Sequence, residues 1–386
     1  MKNIQSLYYL WLAFAYLLLH ACQPNSSNDT PSDAKNQHSA PVKFKYAQGL
    51  SVQYFEQYKL VHLFRTTREA QDTLSFVLLK RGAQAPKNYS ADQIIEIPIR
   101  GLIPLSTTFL EPLDRLGLSD HILGVENKAY ITHEKILQKV NAGQIPEIST
   151  GEQLDQEKIL SLNPDLMMTS GFSSAKSTET FKKLGLKTIP NLDWQENTPL
   201  GRAEWLKFIA LLFDREAQAN AIFEEIEKKY LQIAQLSQKT DKKPLVLIEI
   251  PFKDTWYVPG GNSYMAHLIK DAGAMYSWSQ DESTGAIPLN LEAVYPTGLK
   301  ADYWINTGNC QKKEDILAID SRLGDFNSFK NDRIYNNNRR VNAQGGNDYW
   351  NSGVLNPHLV LSDLVKIFHP ELLPNYEFTY YKKIEN

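Results

Sequence analysis

The sequence predicts an α/β protein in which two lobes are joined by a single long helix, with a β-rich extension before the first lobe. Apolar side chains recur at three- and four-residue spacing through residues 214–239, as on one face of a helix. Predicted strands alternate with predicted helices before and after this segment, which favours parallel sheets. The 386 residues suffice for two cores, so we interpret the long helix as a fixed strut. The alternative is a surface helix of one large domain.

The composition is that of a globular protein. Hydrophobic residues make up 42% of the chain and charged residues 22%. The net charge of −3 gives no sign of a large basic surface, so we expect no nucleic-acid partner.

Residues 1–22 are predicted to be a targeting signal outside the fold. Lys2 precedes an apolar run over residues 7–19 that is too short for a comfortable membrane span. The following His20-Ala21-Cys22 completes a stretch that resembles the lipobox of bacterial lipoproteins, although His20 is larger than the residue usual there. The resemblance implies lipidation of Cys22; the alternative is a plain secretory peptide cut near Ala21. Residues 23–42 are Ser-, Asn- and Pro-rich and are predicted to form a disordered tether.

The elements of the extension and the first lobe follow from short apolar runs and turn residues. Residues 43–93 form the β-rich extension, with a hairpin over 52–63 and a strand at 73–80. The first lobe, 94–200, begins with a strand at 94–99. A helix starts at Ser106-Thr107-Thr108 and stops at Gly117. Its remaining elements are strands at 122–125, 165–169 and 187–190 and helices at 136–140, 154–162 and 181–184.

Residues 201–240 are predicted to form the linking helices and residues 241–386 the second lobe. In the long helix, Asp214 suits the capping position and Glu216 the positive end of the helix dipole. The second lobe should contain strands at 244–250 and 301–305 and helices at 262–272, 291–295 and 356–368. The second cysteine, Cys310, has no cysteine or histidine at metal-ligand spacing and is interpreted as incidental.

The two halves share a local pattern. Each contains a short helix with a glutamate near its start, then a turn, an aspartate and a buried strand. The glutamates are Glu157 and Glu292. Helix-dipole stabilisation accounts for either glutamate by itself, but less well for both at the same place.

This layout is similar to the helical-backbone substrate-binding proteins of ABC importers, which capture iron–siderophore complexes, haem and cobalamin. The matching stretches cover about 95–370 and are 157–169, 201–205 with the long helix, 261–265, 292–305 and 350–371. The resemblance implies two Rossmann-like lobes on a rigid helix, with ligand bound between them. It also implies that Glu157 and Glu292 dock onto arginines of a permease dimer. The extension at 43–93 has no counterpart in the minimal family fold.

The sequence contains none of the common enzyme motifs. It has no Gly-x-Ser-x-Gly, no phosphate-binding Walker loop and no Gly-x-Gly-x-x-Gly after a strand. None of the eight histidines forms a pair at helical metal-ligand spacing, which favours a chelated or macrocyclic ligand over a bare metal ion. We expect no cofactor and no protein-bound metal.

Ligand contacts are expected from loops at the carboxyl ends of strands, because ligands of open α/β sheets bind there. Aromatic rings in such loops suit a flat macrocycle or catecholate. The candidates are Ser106, Thr107, Phe172, Trp256, Asn309 and Trp350. The alternative for Trp256 and Trp350 is that they pack loops onto their own lobe.

The sequence therefore predicts a monomeric, lipid-anchored binding protein of the cell envelope, periplasmic or extracytoplasmic. It would capture an iron complex (siderophore), haem or cobalamin and deliver it to an ABC permease. One alternative is an extracytoplasmic lipoprotein enzyme acting on a glycan or peptide. Another is a structural envelope lipoprotein. Turnover without a permease partner would favour the first alternative, and a filled cleft without affinity for any chelate would favour the second.

Overall fold

The computed structural model describes residues 40–66, 71–150, 153–171 and 175–385, which form a mixed α/β structure. The strands are β1 (Leu50–Tyr54), β2 (Tyr58–Thr66), β3 (Gln71–Lys80), β4 (Ile94–Ile97), β5 (Leu102–Pro104), β6 (Ser149–Thr150), β7 (Gln153–Leu154), β8 (Leu166–Thr169), β9 (Thr188–Pro190), β10 (Leu245–Ile248), β11 (Trp256–Pro259), β12 (Met275–Tyr276), β13 (Ala286–Leu289), β14 (Tyr303–Ile305), β15 (Ile334–Asn336) and β16 (Lys382–Lys383).

The helices lie mainly between these strands. They are α1 (Leu110–Arg115), α2 (Glu134–Asn141), α3 (Gln156–Leu162), α4 (Ala175–Lys183), α5 (Pro199–Glu204), α6 (Leu206–Leu211), α7 (Glu216–Ser237), α8 (Tyr264–Asp271), α9 (Leu291–Gly298), α10 (Lys313–Ile319), α11 (Asn327–Lys330), α12 (Asp348–Asn351) and α13 (Pro357–Phe368). In the described part of the chain, no helix is both long enough and apolar enough to span a membrane.

The β-rich extension is a four-stranded sheet in the order β1-β2-β3-β4. The pairs β1/β2 and β2/β3 are antiparallel, whereas β4 joins β3 in parallel. The sequence interpretation placed residues 94–99 in the first lobe, but Ile95 and Ile97 are buried in a strand of the extension's sheet. The sheet therefore continues up to the entry of the first lobe.

Two buried carboxylates hold the extension against the linking helices. Glu204 accepts the backbone N–H groups of residues 45–47 at 2.7–3.0 Å and also binds Lys207 Nζ at 2.7 Å. Glu196 accepts those of residues 48 and 49 at 2.8–3.1 Å. Charge-assisted bonds of this kind are strong. Val42, at the end of the predicted tether, is itself buried, so ordered structure begins before residue 43.

The first lobe contains a parallel three-stranded sheet in the order β5-β8-β9. The strand predicted at 122–125 is wrong, because its two ends pair with different partners. Ile122 bridges Leu102, whereas Val125 bridges Glu147, so no continuous ladder forms.

The long helix α7 has 22 residues, about 33 Å at 1.5 Å per residue. Its buried face carries Ala219, Phe223, Ile226 and Tyr230. These side chains belong to one apolar core that includes residues of the extension, both lobes and α13. A continuous core through the helix agrees with a fixed strut.

The start of α7 differs from the prediction. Arg215 occupies the capping position, while Asp214 has a left-handed φ of 53°. The Asp214 carboxylate accepts from Lys59 Nζ at 2.7 Å. Glu216 is fully buried and also pairs with Lys59. Asp214 does not cap the helix because its side chain is used to fix the extension.

The second lobe contains a five-stranded sheet in the order β12-β10-β14-β15-β16, parallel except for β16. An antiparallel pair, β11/β13, lies beside it and was not predicted. Trp256, Trp304 and Phe326 form the aromatic centre of this lobe, with ring centroids 5.4–6.2 Å apart. Cys310 is buried and unpaired, and burial raises the pKa of its thiol to about 11.

Candidate ligand-binding site

Ser106 and Thr107 lie in the wall of a cavity of about 450 Å³ at the carboxyl end of β5. Ser106 caps the turn that precedes α1, because its hydroxyl accepts the N–H of Thr108 at 3.3 Å. The lining of the cavity also includes Asn127, Tyr130 and Ser149. A ligand contact by Ser106 or Thr107 stays a prediction.

The two lobes meet directly beside this cavity, along an interlobe seam formed by residues 129–132 and 342–351. Asn342 Nδ2 donates to the backbone oxygens of Ala129 at 2.8 Å and of Ile131 at 3.2 Å. Thr132 Oγ1 donates to Asp348 Oδ1 at 2.7 Å. Side-chain amides with several partners of this kind fix the relative position of the two surfaces.

Asn351 is the most connected residue of the seam. Its Nδ2 atom donates to Tyr130 O at 3.1 Å and to Thr132 Oγ1 at 2.9 Å, and its Oδ1 atom accepts from Thr107. Thr107 thus belongs both to the cavity wall and to the contact between lobes. The sequence interpretation missed Asn342 and Asn351, although the Gly345-Gly346-Asn347 turn between them marks a loop.

Trp350 and Tyr130 supply exposed aromatic surface at the seam. Trp350 is 49% exposed and Tyr130 is 54% exposed, which is unusual for large rings next to buried neighbours. Tyr349 packs edge-on against Trp350 with centroids 4.7 Å apart and holds it from the protein side. A ligand contact by Trp350 stays a prediction, and Tyr130, which lines the cavity, is an additional candidate.

Trp256 is not a candidate for ligand contact in this structure. Its side chain is fully buried, and its indole N–H donates to Ile248 O at 3.0 Å. The ring packs against Trp304 and Phe326. The prediction for Trp256 is corrected, because antiparallel pairing of β11 with β13 turns the residue into the core of the lobe.

The loop after β14 presents Asn309 to solvent, whereas Asn306 and Thr307 of the same loop are buried. Asn306 has a left-handed φ of 58° and accepts from Tyr381 OH at 2.9 Å. Asn309 is thus accessible but lies on the outer part of the loop. Phe172 and Cys22 lie outside the described residues.

Glu157 and Glu292 occupy equivalent helix positions. Asp155 caps α3 and Asn290 caps α9, and in each case the glutamate is the second residue of the helix. Both side chains are exposed. Arg322 lies 3.3 Å from Glu292 but binds Asp320 more closely, at 2.7 Å. The two glutamates therefore occupy the same position in their helices, as the repeated sequence pattern predicts.

Among residues 40–66, 71–150, 153–171 and 175–385, no group of three or more His, Cys, Asp or Glu side chains is placed to hold a metal ion. The site instead combines hydroxyls, amides and two aromatic rings at a boundary between two lobes. Such a surface suits the non-covalent binding of a small molecule.

Two α/β lobes on a linking helix, with a cavity beside their seam, define a bilobal solute-binding protein. Residues 102–340 match the family model described as periplasmic binding protein. The chain belongs to this family, whose members are the solute-binding components of ABC importers.

Several curated relatives carry names that agree with this family. An uncharacterized lipoprotein of Methanocaldococcus jannaschii is 26% identical over 306 residues, covering 76% of this chain and 71% of its own. The uncharacterized ABC transporter substrate-binding lipoprotein YvrC of Bacillus subtilis is 24% identical, covering 63% of this chain and 74% of its own. The petrobactin-binding protein YclQ of Bacillus subtilis is 22% identical, covering 53% of this chain and 59% of its own.

Solved structures share the fold. A possible iron-binding, periplasmic solute-binding protein of Staphylococcus epidermidis superposes with a TM-score of 0.57 at 21% identity, covering 70% of this chain and 99% of its own. A periplasmic heme binding protein of Pseudomonas aeruginosa superposes with a TM-score of 0.55 at 16% identity, covering 75% of this chain and 99% of its own. At these identities the similarity concerns the fold alone.

Proposed function

We propose that this protein captures an iron complex, haem or cobalamin between its lobes and delivers it to an ABC importer. The observation that carries the proposal is the cavity beside the interlobe seam, with Tyr130 and Trp350 exposed next to it. A volume of about 450 Å³ falls in the range of small-molecule sites. Aromatic rings bury a large flat area at low entropic cost, which suits a macrocycle or an aromatic chelate.

Relatives support this ligand class. One curated relative named above is a petrobactin-binding protein, and one solved structure that shares the fold is a periplasmic heme binding protein. The polar lining of the cavity, which includes the side chains of Ser106, Asn127 and Ser149, can bind the oxygen-rich rim of such a ligand by hydrogen bonds.

Protein purified under native conditions tests the ligand class. Visible absorption and mass spectra should reveal haem, a corrinoid or a ferric chelate, because these ligands absorb at different wavelengths and have different masses. Protein that carries none of them, and whose tryptophan fluorescence does not respond to added haemin, cobalamin or ferric siderophores, would contradict the proposal.

Docking and anchoring form the second part of the proposal. Exposed carboxylates at equivalent positions on the two lobes, Glu157 and Glu292, suit two arginine patches on a permease dimer. Lipid on Cys22 would keep the protein at the membrane beside that permease. Relatives named as lipoproteins support the anchor.

A further inference from the structure

Glu249 has an uncommon backbone conformation at the carboxyl end of β10. Its φ is 67°, in the left-handed region, and the same holds for Asn306 at the end of the neighbouring strand β14. Because Ile248 pairs with Ile305, the two residues sit side by side on one sheet edge. Residues with a Cβ rarely adopt this conformation unless their surroundings impose it, and such positions cluster at functional sites.

The surrounding structure holds the Glu249 backbone firmly. Its N–H donates to Ile305 O at 3.1 Å, and its carbonyl oxygen accepts the indole N–H of Trp304 at 2.7 Å. The buried Trp304 thus fixes the point from which the Glu249 side chain leaves the sheet.

The Glu249 carboxylate has no hydrogen-bond or ion-pair partner among the described residues. Three tyrosines interact with it electrostatically, namely Tyr276, Tyr349 and Tyr381. Each of their hydroxyls donates elsewhere. The acceptors are Pro259 O at 2.6 Å, Met265 Sδ at 3.4 Å and Asn306 Oδ1 at 2.9 Å. None of the three tyrosine hydroxyls therefore donates a hydrogen bond to the Glu249 carboxylate.

The Glu249 side chain is partly buried, and this partial burial disfavours its charged form. Desolvation alone raises the pKa of Glu249 from 4.5 to about 7, and no neighbouring cation offsets it. The three tyrosines stay neutral over this range because burial raises their own pKa values. Because no described side chain pairs with this partly buried carboxylate, a cationic partner from outside the chain would stabilise its charged form.

Glu249 is linked to the seam through Tyr349. Tyr349, one of its three neighbours, belongs to α12, the helix that also carries Trp350 and Asn351. Asn351 binds the first lobe directly. Glu249 therefore lies at the carboxyl edge of the second-lobe sheet, the edge at which ligands of open α/β sheets bind, and interacts with the helix that forms this side of the seam.

We propose that Glu249 contacts the transported ligand and selects one that carries a positively charged hydrogen-bond donor, such as a protonated amine. This inference rests on the proposed function, because it assumes that a ligand binds between the lobes. Near neutral pH, the pairing releases a proton: the protonated carboxyl gives its proton to solvent, and the carboxylate then binds the ammonium group.

A matched pair of probes tests the selection. Ferrioxamine B is a ferric trihydroxamate with one free ammonium group, and N-acetylation removes that charge with little other change. At about pH 8 the protein should bind the ammonium form about tenfold or more tightly than the acetylated form, as expected for a charged hydrogen bond. The preference should shrink at about pH 5, where Glu249 is protonated, and should vanish in Glu249→Gln at both pH values.

A preference that persists in Glu249→Gln, or equal binding of both probes by the wild type, would overturn the inference. Binding of neither probe would contradict it for ferric hydroxamates. The proposed function would still be judged by the spectra of native protein, so the two failures are distinguishable.

Thermal unfolding of the ligand-free protein tests separately whether the unpaired Glu249 carboxylate destabilises the fold. The pKa of Glu249 is higher in the folded protein than in the unfolded chain. The free energy of unfolding should therefore fall as the pH rises from about 4.5 through about 7. Glu249→Gln should therefore unfold at a higher temperature than wild type at about pH 8, with little difference at about pH 5. The control Glu314→Gln, an exposed glutamate, should match wild type at both pH values. A less stable Glu249→Gln at pH 8 would show that Glu249 has a structural role, and it would overturn the proposal.

Discussion

Trp350 combines an exposed indole with a rigid support, and this combination makes it the best single residue for testing ligand contact. Half of its surface is free, and Tyr349 holds the ring from behind. Trp350→Ala should weaken ligand binding about ten- to hundredfold, as for other aromatic anchors, with an unchanged melting temperature. Titration calorimetry measures the affinity.

The matched control for Trp350 is Phe252→Ala. Phe252 is 67% exposed and lies by the turn that leads into β11 of the second lobe. Its loss should leave ligand affinity unchanged. Equal affinities for wild type and Trp350→Ala would place the ligand away from the seam.

Lys59 is the residue on which the attachment of the extension depends most. It is buried and pairs with Glu216, which is fully buried, and with Asp214 at 2.7 Å. Lys59→Ala would leave the Glu216 charge buried without a partner, which typically costs about 3–5 kcal/mol of unfolding free energy. Denaturant unfolding measures the loss. The control Lys80→Ala, on the exposed end of β3, should change the unfolding free energy little, and similar losses for both variants would contradict this account.

At the scale of elements, the short helices α3 and α9 present Glu157 and Glu292 in the same way. The change Glu157→Ala with Glu292→Ala should reduce transport strongly while ligand affinity and melting temperature stay nearly constant. Exposed pairs contribute only about 0.2–1 kcal/mol each, so either single change should be mild. Uptake of labelled ligand into cells or proteoliposomes measures the effect.

The control for the docking pair is Glu134→Ala with Glu314→Ala. Both residues are exposed and lie in the first turn of a helix, one on each lobe. This variant should transport normally. Full transport by the Glu157/Glu292 variant would end the docking hypothesis, and a loss of ligand affinity in it would place the glutamates at the cleft.

The elements that the sequence predicted well have strong local signals. The periodic apolar faces of α7 and α13 were placed to within two residues at each end. Pairing between distant segments carries no such signal. Trp256 is buried because β11 pairs with β13, about 30 residues away, and because Trp304 and Phe326 cover its ring.

The same limit applies to the site. Lys59 and Glu216 pair across more than 150 positions, and the seam joins residues near 130 to residues near 350. Ser106, Thr107 and Trp350 could be selected because they follow strands or glycines. Tyr130 and Asn351 could not be selected, because their exposure and bonding arise only when the two lobes meet.

For the whole molecule, the proposed lipid anchor on Cys22 would determine where the binding function operates. A single acyl chain binds membranes only marginally, whereas the two or three chains of a lipoprotein hold firmly. Cys22→Ala should therefore release the protein into the soluble fraction after cell fractionation, with ligand affinity unchanged. Unaltered membrane retention of this variant would rule out Cys22 as the anchor.

One apolar core joins the extension, α7 and both lobes, and we expect one ligand to bind at the seam between the lobes. Native mass spectrometry of the protein titrated with haemin, cobalamin and ferric siderophores tests this most directly. We expect one ligand molecule to bind per protein molecule, for one of these ligands. The affinity should be lower in Trp350→Ala and unchanged in Phe252→Ala. Binding of none of them, or a complex that is insensitive to Trp350, would contradict it.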